Sequence, residues 1–509
     1  MPYCHALIVL SFLALADALD QSDVQDETSF LQNYPRPLHQ KGALAANSCT
    51  ETGVGMNLLR SPTADKYFWM NKNGDHICSG ASKDTGPSNI SAGPSWSFKA
   101  EAWDMLMSNP LIDDKENVYL CTREVDCYKF NSKGEQLWKF TSTLDGTFHI
   151  SPAIMDGNLY LGQGGNALAV DMETGELVWH TEVAPKAAMD LPSIGVYSGV
   201  MLMTVISSDA DVDYQKTGDD TIVALNASSG KVMWTRRINK MYNNMFNFVE
   251  NPPSVISSDC FGSPFRLQLC DGQLLWQAEK LPRSVFTTGA AIVHEGLGFV
   301  FATSNYGDDD GDPFGVVAGT QWEVEGGRLT AYHIGSGQLA WQREFSLSAG
   351  AGPAMGNLGG GHAISVVVAL GEVPNPFAIP DNGTYEYPGE LRAVDAITGE
   401  DTGWSWSPPV WRKQFAEGEL GAEYTQKVMG YPPCGPDHWT NPVVDGNGTV
   451  FAGHVSGHLF AVHDLDGDGK INEAAGEVSK WYAGRCFQAP VAISKSMLIG
   501  TSCGGMHVF

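Results

Sequence analysis

The densest run of oxygen ligands in the sequence is Asp464-Leu465-Asp466-Gly467-Asp468-Gly469-Lys470-Ile471-Asn472. Carboxylates at every second position suit a tight loop that aims alternate side chains inward, and Gly469 permits the sharp turn. The spacing matches the first nine positions of a D-x-D-x-D-G calcium loop. Asp464, Asp466, Asp468, Lys470 and Asn472 are therefore the candidate Ca2+ positions. The twelfth position, usually a bidentate Glu, is Ala475, so Glu473 or Glu477 must substitute. Two further acidic groups stand elsewhere: Asp209, Asp211, Asp213, Asp219 and Asp220, and Asp308, Asp309, Asp310 and Asp312 beside Glu323 and Glu325. Such clusters hold hard cations, and they also occur as plain solvated charge runs. His454 and His458 are a weaker candidate metal pair. The sequence has no Ser-His-Asp signature, no phosphate-cradling Gly loop and no zinc-type Cys cluster.

The elements that position these residues are set by a repeat. A polar turn ending in Gly precedes Trp by four residues at Gly134–Trp138, Gly175–Trp179, Gly230–Trp234, Gly272–Trp276 and Gly337–Trp341. Looser copies end at Trp404 or Trp406 and at Trp481, and Trp96 lacks the turn. Residues 151–182 resolve into four short apolar runs, A to D, broken at Asp156-Gly157, Gly164-Gly165 and Thr174-Gly175. Each break is a hairpin signal. Four antiparallel strands in about forty residues are one propeller blade. The order recurs to the end of the chain, with a compressed copy at 251–277, and the last copy stops before its D strand. Trp96 in GPSWSFKAE is a D strand with nothing ahead of it, so it completes the last blade and closes the ring. The predicted fold is all-β: an eight-bladed β-propeller over 91–509, with a lead segment over 19–90. The tryptophans are expected to pack between blades rather than do chemistry.

In such a ring, A–B and C–D turns share one end, and B–C turns and D-to-A loops share the other. The long excursions at 207–220, 305–327, 372–389, 407–437 and 237–250 all map to the second end, where function is expected. The calcium-like loop is a C–D turn at the opposite end, which predicts a structural ion. Prolines 110, 152, 192, 253, 353, 442 and 490 mark the starts of A strands. Residues just before them are expected to ring the channel mouth: Asn109, His149, Ser151, Asp190, Asn251, Thr288, His438, Asn441, Arg485 and Gln488. This polar ring suits a small polar ligand, or only water.

The chain-wide numbers restrict the partners. A net charge of −27 over 509 residues argues against nucleic acid. Ala6 to Ala16 is apolar and Ala16-Asp17-Ala18 is an A-x-A cleavage site, which reads as a signal peptide over 1–18 and predicts export. That apolar run is about half the ~20 residues a spanning helix needs. Cysteine usage agrees with export. Candidate pairs are Cys121–Cys127, Cys260–Cys270, Cys486–Cys503 and Cys49–Cys78, which leaves Cys434 over. N-x-S/T sequons stand at Asn89, Asn226, Asn382 and Asn447.

The D-x-x-T-G-x-x-x-W turn, as in Asp171-Met-Glu-Thr-Gly175-Glu-Leu-Val-Trp179, resembles the pyrroloquinoline quinone (PQQ) repeat over roughly 69–509. That family includes quinoprotein alcohol dehydrogenases and cofactor-free relatives such as an outer-membrane assembly lipoprotein. Ala302-Thr303-Ser304-Asn305 is similar to the enzymes' A-T-G-N segment, so the resemblance implies Asn305 as a Ca2+ ligand, with Asp209 where they place an acidic ligand. Their vicinal Cys-Cys is absent. The stretch Phe345–Pro353, where their catalytic Asp is expected, carries no carboxylate. A base must take the alcohol proton as hydride leaves. The expectation is therefore a non-redox scaffold that binds a small polar ligand, a glycan or a protein. The alternative is a PQQ- and Ca2+-dependent alcohol or sugar dehydrogenase.

Overall fold

Each of the repeats folds into a four-stranded antiparallel meander, because period-two apolar runs alternate with turns that only Gly, Asn or Asp accept readily. The computed structural model describes residues 66–99, 108–123, 126–146, 151–185, 193–206, 219–242, 244–308, 324–359, 364–374, 384–419 and 437–509. The chain separates into a unit Met1–Val54, outside the described residues, and a unit Gly55–Phe509 that carries everything below. No helix among the described residues is long and apolar enough to cross a membrane.

Eight sheets form the blades of the propeller. Their A strands are Leu111–Ile112, Ala153–Met155, Ile194–Tyr197, Asn247–Val249, Ala291–His294, Ala354–Gly356, Val443–Val444 and Ala492–Ile493. Blade 8 is completed by Trp96–Phe98, which pairs antiparallel with Gly505–Val508 in the register Trp96↔Val508, so the closure read from Trp96 is present. Blade 4 is a full blade, displaced from the predicted copy: its A strand is Asn247–Val249 and its B strand is Ser254–Ser258. Asn251 and Pro253 therefore lie in its A–B turn, past the A strand that Pro253 was expected to open.

The Gly-x-x-x-Trp spacing has a direct packing cause. From blade 8 through blade 5, the D-strand Trp lies on the turn glycine of the next blade. A Cβ on Gly175 would meet Trp138 at 2.8 Å, on Gly230 would meet Trp179 at 2.5 Å, and on Gly337 would meet Trp276 at 2.4 Å. Gly134 takes Trp96, Gly272 takes Trp234 and Gly399 takes Trp341 in the same way. These glycines also have positive φ, where a Cβ is strained. The indole N–H then donates to a carbonyl of the neighbouring turn, as from Trp138 to Met172 O at 3.1 Å and from Trp179 to Ala227 O at 3.0 Å. The predicted role of the tryptophans as inter-blade packing is what the structure shows.

The axis of the ring is filled by the chain's own lead. Trp69 pairs with Ile112 of blade 1, and Met70 O accepts from Ile154 N of blade 2. His76 O, Ile77 O, Ser79 O and Gly80 O accept from Phe248, Val293, Met355 and Val444, which belong to blades 4 to 7. His76 also stacks on Tyr197 of blade 3, with ring centroids 4.7 Å apart. The inner edges of blades 1, 2 and 4 to 7 thereby donate to one strap, and its Trp69 is wholly buried.

Candidate functional site

At the long-loop end the strap turns through Asn71–Gly74 and places a buried cation, Lys72, near the axis. Asp437, from the loop between blades 6 and 7, faces it. Asp437 accepts a hydrogen bond from Thr288 Oγ1 at 3.1 Å, and the same hydroxyl lies 2.8 Å from Gly350 O. Loss of hydration pushes Asp437 up to about 6, against the lowering effects of Thr288 and Lys72. Burial pushes Lys72 down to about 8, with Asp437 opposing. Sequence reasoning missed both residues. Lys72 lies in an unpatterned lead, and Asp437 is a single acid at the end of a long loop with no repeat to mark it.

The predicted ring is partly assembled. Asn109 is buried at the start of blade 1. Asn441 Oδ1 accepts from Gly352 N at 2.8 Å and its Nδ2 lies 3.4 Å from Asn73 Oδ1, so it ties strap, blade 6 and blade 7 together. Arg485 donates to Cys503 O at 2.9 Å and stands 3.7 Å from Glu419, clasped between Gly418 and Gly504. Asn251 is not at the mouth. It is exposed in the A–B turn of blade 4, at the opposite end, because the A strand precedes it. His149, Asp190 and Asp209 lie outside the described residues, as do Asp211, Asp213, Asp309, Asp310, Asp312 and Glu323. Asp219 and Asp220, read as loop acids, belong to the C strand of blade 3. Asp219 is buried and accepts from Thr204 Oγ1 at 2.6 Å, and Asp220 pairs with Arg237 at 3.1 Å.

Asn305 lies within its B strand, which runs on to Gly307 rather than ending there, and both atoms of its amide face backbone. Oδ1 accepts from Ala349 N at 2.8 Å, and Nδ2 donates to Phe286 O at 3.3 Å. Thr303 Oγ1 donates to Ala351 O at 2.7 Å. The pair pins the stretch 345–353 to blade 5. A quinone with its cation would need these donors, together with a slot on the axis. Among the described residues these groups are engaged and the strap runs along the axis, whereas Asp209, the other residue the resemblance implies, lies outside the described residues.

A third group joins blades 6 and 7. His438 Nδ1 donates to Glu372 O at 2.7 Å, and since a carbonyl only accepts, its Nε2 is the acceptor in the neutral ring. His454 Nε2, 2.9 Å away, must then carry the proton. Its Nδ1 accepts from Ser456 Oγ at 2.7 Å, and Ser456 accepts from His458 Nδ1 at 3.0 Å. Burial pushes His438 down to about 4 and His454 well below its ordinary range. His454 and His458 are linked through Ser456 rather than arranged as a ligand pair.

The calcium-like loop gathers a different set from the one its spacing suggests. Carboxylate oxygens of Asp464, Asp466 and Glu477 lie within 4.8 Å of one another. Asp468 instead caps Lys470 N at 2.7 Å, and Asn472 caps Ala474 N at 3.0 Å to start a short 3-10 turn, Glu473–Ala475. Glu473 accepts from Trp406 Nε1 at 3.0 Å, which leaves Glu477 as the substitute acid. Glu477 itself is buried and accepts from Leu465 N and Asn472 N.

Of the cysteine pairings, Cys121–Cys127 is a disulfide across the B–C turn of blade 1. Cys260 and Cys270 are not bonded to each other, which corrects that pairing. Cys486 is free, 3.5 Å from Cys503, which is itself disulfide-bonded, so that pairing is corrected too. Cys78 is a free thiol, which corrects its pairing with Cys49; Cys49 and Cys434 lie outside the described residues.

Comparison with known proteins adds the family. The profile of the PQQ_2 family, described as outer membrane protein assembly factor BamB, matches residues 91–203 and 199–355. No curated protein matches the chain in sequence. Among solved structures, the quinohemoprotein alcohol dehydrogenase of Comamonas testosteroni is 13% identical, covering 88% of this chain and 80% of its own, with a TM-score of 0.55. The quinohemoprotein alcohol dehydrogenase ADHIIG of Pseudomonas putida HK5 is 12% identical, covering 86% and 76%, with a TM-score of 0.55. BamB of Moraxella catarrhalis is 15% identical, covering 82% and 96%, with a TM-score of 0.50. At these identities the likeness is one of fold.

Proposed function

Because the chain belongs to the PQQ_2 family, the propellers described as outer membrane protein assembly factor BamB, we propose that it is an exported, non-redox binding scaffold that presents its long-loop end to a partner. A protein is the partner class taken, since the family description names an assembly factor. A glycan or a small polar ligand at the channel mouth is the narrower version of the same reading. The observation that carries the proposal is the state of Asn305 and the axis: the amide faces Ala349 and Phe286, and the strap with Lys72 occupies the channel. Export is supported by the apolar leader and by the Cys121–Cys127 disulfide. We assign Ca2+ to the loop at Asp464, Asp466 and Glu477 as a structural ion.

The opposing reading is a quinoprotein dehydrogenase, in which bound PQQ would accept the hydride. The test is to incubate the purified protein with PQQ and Ca2+ and measure bound-quinone absorbance and dye reduction with alcohols or aldoses. Neither signal should exceed that of a heat-denatured control. Stoichiometric quinone binding with turnover would overturn the scaffold reading.

A further inference from the structure

The sequons divide by their surroundings. Asn226-Ala-Ser228 ends the C strand of blade 3, and its amide oxygen accepts from Ser228 N, Ser229 N and both serine hydroxyls. Asp171 Oδ1 does the same for Glu173 and Thr174, and Asp395 Oδ1 for Ile397 and Thr398, in their own C–D turns. Asn226 is therefore a turn cap, and turn chemistry accounts for the sequence there.

Asn447 has no such explanation, and Asn89, which also accepts from Ser91 N at 3.1 Å, differs from Asn226 in being exposed. Asn447 is exposed in the A–B turn of blade 7, where Asp445, not Asn447, caps the turn. Asn89 is exposed on the strap beside Ser479, at the start of the blade 7 D strand, with its oxygen facing the Ser91 and Ser479 hydroxyls. An A–B turn and the start of a D strand belong to the same end of the ring, opposite the long loops. Asn382 lies in the excursion at 372–389, outside the described residues.

We infer that Asn89 and Asn447 are N-glycan acceptors, and that their glycans cover the A–B/C–D end of the ring, away from the long loops. The inference rests on the export reading above. In the modification, Asn Nδ2 displaces the diphosphate of a lipid-diphosphate-linked oligosaccharide at its anomeric carbon. The C–N bond forms, the C–O bond to diphosphate breaks, and Nδ2 gives up one proton. Both acceptors are exposed, and each amide nitrogen is the group that would carry the glycan.

The test is to secrete the full chain from a eukaryotic cell line, measure intact mass before and after peptide N-glycosidase, and map glycopeptides. The expected result is occupancy at Asn89 and Asn447, with N89Q and N447Q each removing one glycan. Ser91→Ala should remove the Asn89 glycan without altering Asn89 itself, which separates lost acceptor chemistry from misfolding. A secreted chain unmodified at both positions would overturn the inference while leaving export intact. A chain retained unmodified in the cytosol would overturn the export reading, and this one with it.

Discussion

Two kinds of seam hold the ring together. From blade 8 through blade 6, each seam is a tryptophan laid on a positive-φ glycine, as Trp276 lies on Gly337. The seam between blades 6 and 7 has no such dock. At one end Trp406 donates to Glu473 of the acidic loop. At the other, His438 is packed under Gly371 and Gly389 and hydrogen-bonded to His454. The first kind is apolar and indifferent to solvent conditions. The second is built from groups that titrate or take cations, so solution conditions should act on the propeller mainly there.

The largest effect should come from breaking a tryptophan dock. Gly337→Ala adds a Cβ 2.4 Å from Trp276 at a φ of +68°. Overpacking and left-handed strain together should cost about 4 kcal/mol. Gly476→Ala, at the polar seam, has a φ of +86° but nothing within 4 Å of the new Cβ, so only the strain remains. Urea denaturation of both variants reads the difference. Equal losses would show that the indole contact adds nothing beyond the turn geometry.

Acid should attack the polar seam. The folded protein keeps His438 neutral down to about 4, whereas an unfolded imidazole protonates near 6.5. Between those values the unfolded chain binds more protons, so stability falls as pH falls, by about 3 kcal/mol for this group. His507, held down to about 4 by burial, adds in the same direction. Asp437 opposes them. Its folded carboxyl keeps a proton up to about 6 against 3.8 unfolded, so its contribution is lost as pH rises through that window. Asp437→Asn should therefore steepen the acid loss and His438→Gln should flatten it, in melting temperatures taken from pH 7 to pH 4. Parallel curves for all three proteins would place the titrating groups elsewhere.

The difference between the seams also explains what could be read from the sequence. Blade order, ring closure and the tryptophan packing were legible because they repeat, and every copy of Gly-x-x-x-Trp tests the others. Blade 4 was misplaced by a few residues because Pro253 in its A–B turn resembled the proline that starts other A strands. The site was legible only in fragments. Asn441 and His438 were expected at the mouth, but Lys72, Asp437 and the strap that carries the axis follow no period. Their positions depend on non-local contacts, such as Asn73 with Pro353 and Asn441. The candidate cation site was legible up to a choice: Asp464 and Asp466 follow the local pattern, whereas only the turn after them selects Glu477 over Glu473.

Calcium should sharpen the polar seam by a smaller amount. An ion bound only by the folded loop adds about 2.7 kcal/mol at a hundredfold excess over Kd. Asp466→Ala should lower the melting temperature in Ca2+ and leave it unchanged in chelator, since Asp466 is exposed and accepts a local bond from Asp468 N. Asp464→Ala should lower it in both, because Asp464 also holds Gly467 N and Gly469 N at 2.8 Å. A loss for Asp466→Ala that is the same with and without Ca2+ would remove the ion from this seam.

The smallest effect tests the turn that presents each docking glycine. Asn226 caps the turn ahead of Gly230, on which Trp179 lies. Removing the cap should cost about 1 kcal/mol, the scale of other side-chain caps. Asn226→Ala should show that loss by urea denaturation. Asn226→Asp should not, because Asp171 and Asp395 already cap the equivalent turns of blades 2 and 6 with one carboxylate oxygen. If Asp fails where Ala fails, the amide nitrogen rather than the oxygen holds the turn, and the equivalence of the repeats ends at that residue.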